Sequence, residues 1–187
     1  MSFKNRFDEK YKASPDLFGE EPMPLVKKAL NYINGKKVLE LGVGNGRNTL
    51  YLLSKSFEVT GVDMSEEGIR ILSERAKDAS NLNLVVSDVL KFESPEKFDL
   101  VLAVGLLHFL EKKSIDFLIN KMKGWTSKGG LNVIAARMIQ NNRQDLPHIF
   151  TKNELKNYYL DKDWKIEEYD EIEKNGRRLA SLIARKL

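Results

Sequence analysis

Three glycines at alternate positions, Gly42, Gly44 and Gly46, followed by acids at Asp63 and Asp88, are the residues of this chain best suited to chemistry. Glycines so spaced let the backbone turn sharply and approach a ligand with no Cβ in the way. Where a strand enters such a turn and a helix leaves it, the first N–H groups of the helix face polar ligand atoms. Asp63 follows Gly42 at the spacing where an acid commonly meets the hydroxyls of a ribose. Its carboxylate can accept from both vicinal hydroxyls. Asp88 is suited to accept from an adenine exocyclic amine, or else is an ordinary turn residue. His108, one of 2 histidines, is the candidate base for a neutral acceptor, or else a packed core residue. Arg137, Arg177 and Arg178 carry forked donors that suit an oxyanion, or else end in solvent.

The apolar pattern names the elements that must position these groups. Val38, Leu39 and Leu41 form a short run ending at Gly42, as in a parallel strand covered on both faces. Leu50, Leu52 and Leu53 open the helix beyond the glycines. Strands are predicted over residues 57–63, 82–86, 98–104 and 131–136, so Asp63, Asp88 and Arg137 all fall at strand ends. Open parallel sheets bind ligands at that edge. Ser65 N-caps a helix carrying Ile69, Leu72 and Ala76. Ile115, Leu118, Ile119 and Met122 mark another helix. The pattern also predicts a helix over residues 25–33 with Asn34-Gly35 as its C-cap. Ser127-Lys128-Gly129-Gly130 reads as a turn, Asn141, Asn142 and Arg143 as part of a polar loop reaching His148, and Thr151 with Glu154 as a capping box. Asn175-Gly176 between two strand-like runs signals a closing hairpin. At the start, Phe3, Phe7 and Tyr11 have helical spacing. With Phe18 they either pack the core or form a lid in which Tyr11 or Phe18 covers a ligand.

The 187 residues are 42% hydrophobic and 31% charged, enough for a sizeable core under a solvated surface. The net charge of +4 suits an anionic ligand and does not by itself imply nucleic-acid binding. With no cysteine there are no disulfides, Cys-based zinc sites or thiol nucleophiles. The polar, acid-containing start is unlike a signal peptide, and no apolar run approaches the ~20 residues of a membrane span. A cytoplasmic location is expected.

The glycine spacing sets Arg47 where a dinucleotide fingerprint requires a third glycine, which argues against NAD or FAD. Glu40 with Gly42-x-Gly44-x-Gly46 instead resembles motif I of class I S-adenosylmethionine (SAM) methyltransferases. Within that family the chain is most similar to the tellurite-resistance-type methyltransferases. The matching blocks are Gly44-Asn45-Gly46-Arg47-Asn48-Thr49-Leu50-Tyr51-Leu52, Phe109-Leu110-Glu111, Phe150 to Leu155 with Tyr158-Tyr159 and Trp164, and Leu182 to Lys186. The resemblance implies an α/β, Rossmann-like doubly wound fold with a seven-stranded, mostly parallel sheet and an antiparallel C-terminal hairpin. It covers residues 1–187 as one domain, with residues 1–24 lid-like and 25–187 the core.

The resemblance also implies residue roles. Gly42, Gly44, Asn45 and Gly46 pass the methionine part of SAM while Glu40 orders the turn. Asp63 takes the ribose and Met64 lies against the adenine. Asp88 meets the adenine amine with Val89 beside it. Val104 lies near the sulfonium, and Tyr11 covers the site. One departure stands out: residues 171–178 lack the histidine of a family His-Arg pair and make a shorter connection, so Arg177 or Arg178 replaces one family arginine. The implied activity is methyl transfer to a small-molecule acceptor, such as a tellurite- or selenite-type oxyanion or a thiol, with no membrane partner. Alternatives are a non-catalytic SAM-binding module acting with a protein partner, or a protein or nucleic-acid methyltransferase. Cytosine C5 chemistry is excluded by the missing cysteine. Gly105-Leu106-Leu107-His108 also differs from the Asn/Asp-Pro-Pro-aromatic motif of amino methylation on bases.

Overall fold

The computed structural model describes residues 3–138, 146–174 and 177–187. Strands and helices alternate: α1 (Phe3–Ala13), α2 (Pro24–Ala29), β1 (Lys37–Leu41), α3 (Arg47–Ser54), β2 (Glu58–Asp63), α4 (Glu66–Arg75), β3 (Leu82–Val86), β4 (Phe98–Val104), α5 (Lys112–Trp125), β5 (Thr126–Arg137), α6 (Glu154–Asn157), β6 (Trp164–Lys174) and β7 (Arg177–Lys186). The strands form one seven-stranded sheet in the order β3-β2-β1-β4-β5-β7-β6. β7 runs antiparallel to both neighbours and every other pairing is parallel. The expected fold class is therefore the observed one.

Alternation along the strands sends successive side chains to opposite faces. Leu39, Leu41, Val101 and Ala103 join Ile115, Leu118, Ile119 and Met122 of α5 on one face. Val38, Leu100, Leu102 and Val133 join Val26, Ala29 and Leu52 of α2 and α3 on the other. Both tryptophans belong to the α5 layer: Trp125 meets Phe92 edge-on at 5.4 Å, and Trp164 meets Tyr159 at 5.1 Å. The sheet order changes direction at β1, and the glycine turn leaves the carboxyl end of that strand, where open α/β sheets have their crevice.

Local expectations differ from the structure in three places. The helix predicted over residues 25–33 ends at Ala29 and continues as tight turns, with Asn31 N–H donating to the Lys28 carbonyl and Tyr32 N–H to the Ala29 carbonyl. Those turns deliver Tyr32 to the far strands, where its hydroxyl donates to Glu168 (2.5 Å) and its carbonyl accepts from Arg185 (2.7 Å). Gly35 is not a left-handed cap; a Cβ there would overlap the Asp99 carboxylate, which accepts from the Lys37 N–H. Ser127 to Gly130 lies inside β5 rather than in a turn, at a register shift against β4, with Gly129 at φ +77°. Finally, Glu154 turns back onto Thr151, accepting from its N–H and its hydroxyl, but the residue before α6 is Asn153. Only the returning half of a capping box is made. The hairpin residues Asn175 and Gly176, and the loop residues Asn141, Asn142 and Arg143, lie outside the described residues.

Candidate functional site

The glycine turn is held from below by Glu40. This carboxylate, 2% exposed, accepts from Asn48 Nδ2 (3.0 Å) and Thr49 Oγ1 (2.6 Å) in the first turn of α3. Burial pushes its pKa up to about 7, against the pull of those two donors. Asn48 passes the link on by accepting from the Met23 N–H at 3.0 Å. Above it, Gly42 N–H donates to the Val62 carbonyl at 2.7 Å and joins the turn to β2. Gly44 (φ +55°) and Gly46 (φ +88°) adopt backbone that side-chain-bearing residues rarely take. A Cβ at Gly44 would overlap the Tyr11 hydroxyl, and one at Gly46 the Leu72 side chain.

Asp63 ends β2 and braces the turn from the side. One carboxylate oxygen accepts from Gly44 N–H (2.8 Å) and the other from Ser65 N–H (2.9 Å). Burial raises its pKa and these backbone donors oppose the rise. The helix cap falls to Ser65, whose side chain accepts from Gly68 N–H at 3.0 Å. Asp88 follows β3 and accepts from Leu90 N–H at 2.9 Å. Two carboxylates thus stand at the ends of adjacent strands, beside the turn that follows the next strand over.

The N-terminal segment is tied across this turn. Asp8 accepts from the Ser65 hydroxyl (2.6 Å) and the Glu67 N–H (3.1 Å). Asn45 donates to the Pro15 carbonyl at 3.0 Å, Arg47 donates to the Phe18 carbonyl at 2.9 Å, and Arg75 pairs with Asp16. Tyr11 is buried, and Phe7 packs edge-on against Phe109 at 5.2 Å.

Between these elements lies a cavity of about 300 Å³. Its floor is Gly42, Gly44, Asn45 and Arg47. Asp63, Met64, Asp88 and Val89 form one end, with Val104, Gly105 and Leu106 at the other. Phe7, Tyr11, Phe18 and Phe109 lie over it. Gly46 and Glu40 shape the cavity without lining it.

The candidates for the acceptor side are placed differently. His108 is 4% exposed and lies outside the lining; its ring accepts from Arg137 N–H at 3.5 Å. Burial, and then the Arg137 charge, hold its pKa down at about 3. Arg137 and Arg178 do not line the cavity either. Arg178 pairs with Glu173 at 4.0 Å, and its carbonyl accepts from Met138 N–H. The Arg177 side chain lies outside what is described. Arg47, which the sequence analysis gave no role of its own, is the one basic residue among the described lining. Its place beside Gly46 at the start of α3 was the available signal. Among the described residues, no group of three or more His, Asp or Glu side chains is placed to hold a metal, and no helix is long and apolar enough to cross a membrane.

A family model described as tellurite resistance protein TehB matches residues 2–179. The probable S-adenosyl-L-methionine-dependent methyltransferase TehB of Haemophilus influenzae is 35% identical over 176 residues, covering 86% of this chain and 61% of the relative. The chain therefore spans less than two thirds of that relative's length. The crystal structure of TehB from Haemophilus influenzae superposes with a TM-score of 0.79 at 31% identity, over 98% of this chain and 67% of that one. The N-methyltransferase NodS from Bradyrhizobium japonicum, solved with S-adenosyl-L-homocysteine, gives a TM-score of 0.79 over 99% of each chain; at 20% identity this likeness concerns the fold alone. The chain belongs to the TehB family and has the class I methyltransferase fold.

Proposed function

We propose that this chain transfers the methyl group of SAM to a small-molecule acceptor. The observation that carries the reading is one cavity bordered by the glycine turn, Asp63 and Asp88 at the ends of three neighbouring strands. Adjacent strands lie ~4.8 Å apart, so the three positions offer successive partners to an extended nucleoside. Each carboxylate oxygen of Asp63 takes a backbone donor and keeps a lone pair for a ribose hydroxyl. Asp88 takes the adenine amine, between Met64 and Val89. The glycine turn and Asn45 receive the methionine part, towards Val104. The fit has support at Gly105 (φ +76°): it lines the cavity, and a Cβ there would meet no atom within 4 Å, so the cradle is open where a side chain would fill it.

When bound, SAM supplies a methyl group made electrophilic by its sulfonium. The chain's own task is to align the acceptor and keep water out. Residues 1–24 act as a lid, with Tyr11 and Phe7 closing over the turn. A soft nucleophile, such as a thiolate or a tellurite- or selenite-type anion, needs alignment more than deprotonation. That agrees with a buried, neutral His108 lying outside the cavity lining. The test is calorimetry with SAM and S-adenosylhomocysteine, followed by transfer of radiolabelled methyl to tellurite, selenite and small thiols. Binding of both nucleosides and turnover with one acceptor class is expected. Absence of heat with either nucleoside overturns the cofactor assignment; binding without transfer to any acceptor in a broad panel favours a non-catalytic module.

A further inference from the structure

Asp88 stands on a turn beyond β3, and that turn is gripped from behind by α5. The Asp88 carbonyl accepts from the N–H groups of Lys91 (2.9 Å) and Phe92 (3.0 Å), and its carboxylate accepts from Leu90 N–H (2.9 Å). The carbonyls of the same turn go to Lys121. Its ammonium donates to the Leu90 carbonyl at 3.1 Å and to the Phe92 carbonyl at 2.5 Å, and pairs with the Glu93 carboxylate at 2.9 Å. Three acceptors on residues 90–93 thus match the three donors of an ammonium. The same ammonium lies 5.2 Å from the ring centroid of Phe117 and 5.0 Å from that of Trp125. The Lys121 side chain is 11% exposed, so solvent does little to weaken these contacts. Lys121 does not line the cavity, whereas Asp88, Val89 and Leu90 do.

Resting on the methyltransferase reading above, we infer that Lys121 is the positioning residue for base recognition: by holding the Asp88 turn in place it makes the carboxylate accept an exocyclic amine and reject a carbonyl at the same position of a purine. A carboxylate only accepts hydrogen bonds, so a carbonyl opposite it sets acceptor against acceptor. That penalty requires a carboxylate that stays where it is. On a loose turn it swings aside or admits a bridging water, and the two bases become alike. A second lysine of α5 supplies the contrast. Lys123 donates to the Tyr158 carbonyl (2.5 Å) and to Asp161 (2.7 Å), with its ammonium 4.8 Å from the Tyr159 ring centroid and 5.6 Å from that of Trp164. It makes the same kind of grip on a turn that does not line the cavity.

The experiment compares two ligands on the full chain: S-adenosylhomocysteine and S-inosylhomocysteine, in which a carbonyl replaces the exocyclic amine of the base. Affinities are measured by calorimetry for the wild type, Lys121→Met, Lys121→Arg and Lys123→Met. The wild type is expected to prefer S-adenosylhomocysteine by at least ~10-fold, the scale of one charge-assisted hydrogen bond. Lys121→Met should lose most of that preference, Lys121→Arg, which keeps donors for the carbonyls, should retain more of it, and Lys123→Met should leave it unchanged. The ratio of two affinities in one protein does not depend on how much of a variant is folded. Should Lys121→Met not fold at all, Lys121→Gln, with one amide donor group left for the turn, is read in the same way. A preference undiminished in the Lys121 variants, or diminished as much in Lys123→Met, overturns the role of Lys121. A wild type that binds both ligands equally overturns the adenine role of Asp88 and this inference with it. A wild type that binds neither overturns the cofactor reading on which both rest.

Discussion

The two ends of the ligand edge are built differently. Around β1 and β2 the polar candidates are cross-braced: Glu40 by Asn48 and Thr49, Asp63 by Gly44 and Ser65, Asn45 by Pro15, while Asp88 beyond β3 accepts locally from Leu90 N–H. Beyond β4 the described candidates His108, Arg137 and Arg178 do not line the cavity, with His108 buried against the Arg137 backbone and Arg178 beside Glu173. Recognition of a fixed nucleoside calls for particular residue types on backbone turns, and these brace one another whether or not a ligand is present. The proposed acceptor end carries no such requirement, and its described lining includes the apolar Val104, Leu106, Phe109 and Leu110. The same fold can therefore keep one half constant while the other half changes with the acceptor.

The largest expected effect tests the bracing at Glu40. Its folded pKa of about 7 lies above the ordinary value of 4.5, so the folded state holds an extra proton between those values. The stability contribution is full below pH 4.5 and is lost as pH rises through 7, amounting to roughly 3 kcal/mol. Glu40→Gln should flatten that part of a denaturant-midpoint profile measured from pH 4.5 to 8.5; an unchanged slope would break the assignment. Next, Asp63→Ala should weaken S-adenosylhomocysteine binding by about 1–3 kcal/mol, the range for hydrogen bonds to a charged group. An unchanged dissociation constant would remove the ribose role.

Gly44→Ala should cost about 1–2 kcal/mol in stability from its positive φ alone. It should also weaken ligand binding by displacing Tyr11, which its Cβ would overlap. Chemical denaturation and calorimetry on one preparation would show whether both changes occur together. Smallest of all, Arg178→Ala removes one half-exposed ion pair and should change stability and cofactor affinity by less than ~0.5 kcal/mol. A large rise in KM for an anionic acceptor would return this arginine to the acceptor site and sharpen the contrast between the two ends.

Much of the nucleoside end was legible in the sequence because it is local. Apolar runs, alternate glycines and an acid at each strand end lie within a few residues of the geometry they create, and β3 and β4 fall where the pattern places them. What escaped is long-range. Gly35 looks like a helix cap but makes room for Asp99, more than sixty positions away. Gly129 looks like a turn but permits a bulge against β4. His108, offered as a base or a packed core residue, lies past the end of β4, buried and outside the lining. Arg47 was visible as part of a matching block but without a contact, because its partner Phe18 comes from a segment whose path the pattern does not specify.

The placement of the indole rings has an optical consequence. Trp125 and Trp164 are packed on Phe92 and Tyr159 and do not line the cavity, whereas Tyr11 does. Indole emission should follow unfolding and remain nearly silent during a ligand titration, while phenol absorbance at Tyr11 responds to the ligand. Occupancy and unfolding can then be read at separate wavelengths from one unlabelled sample.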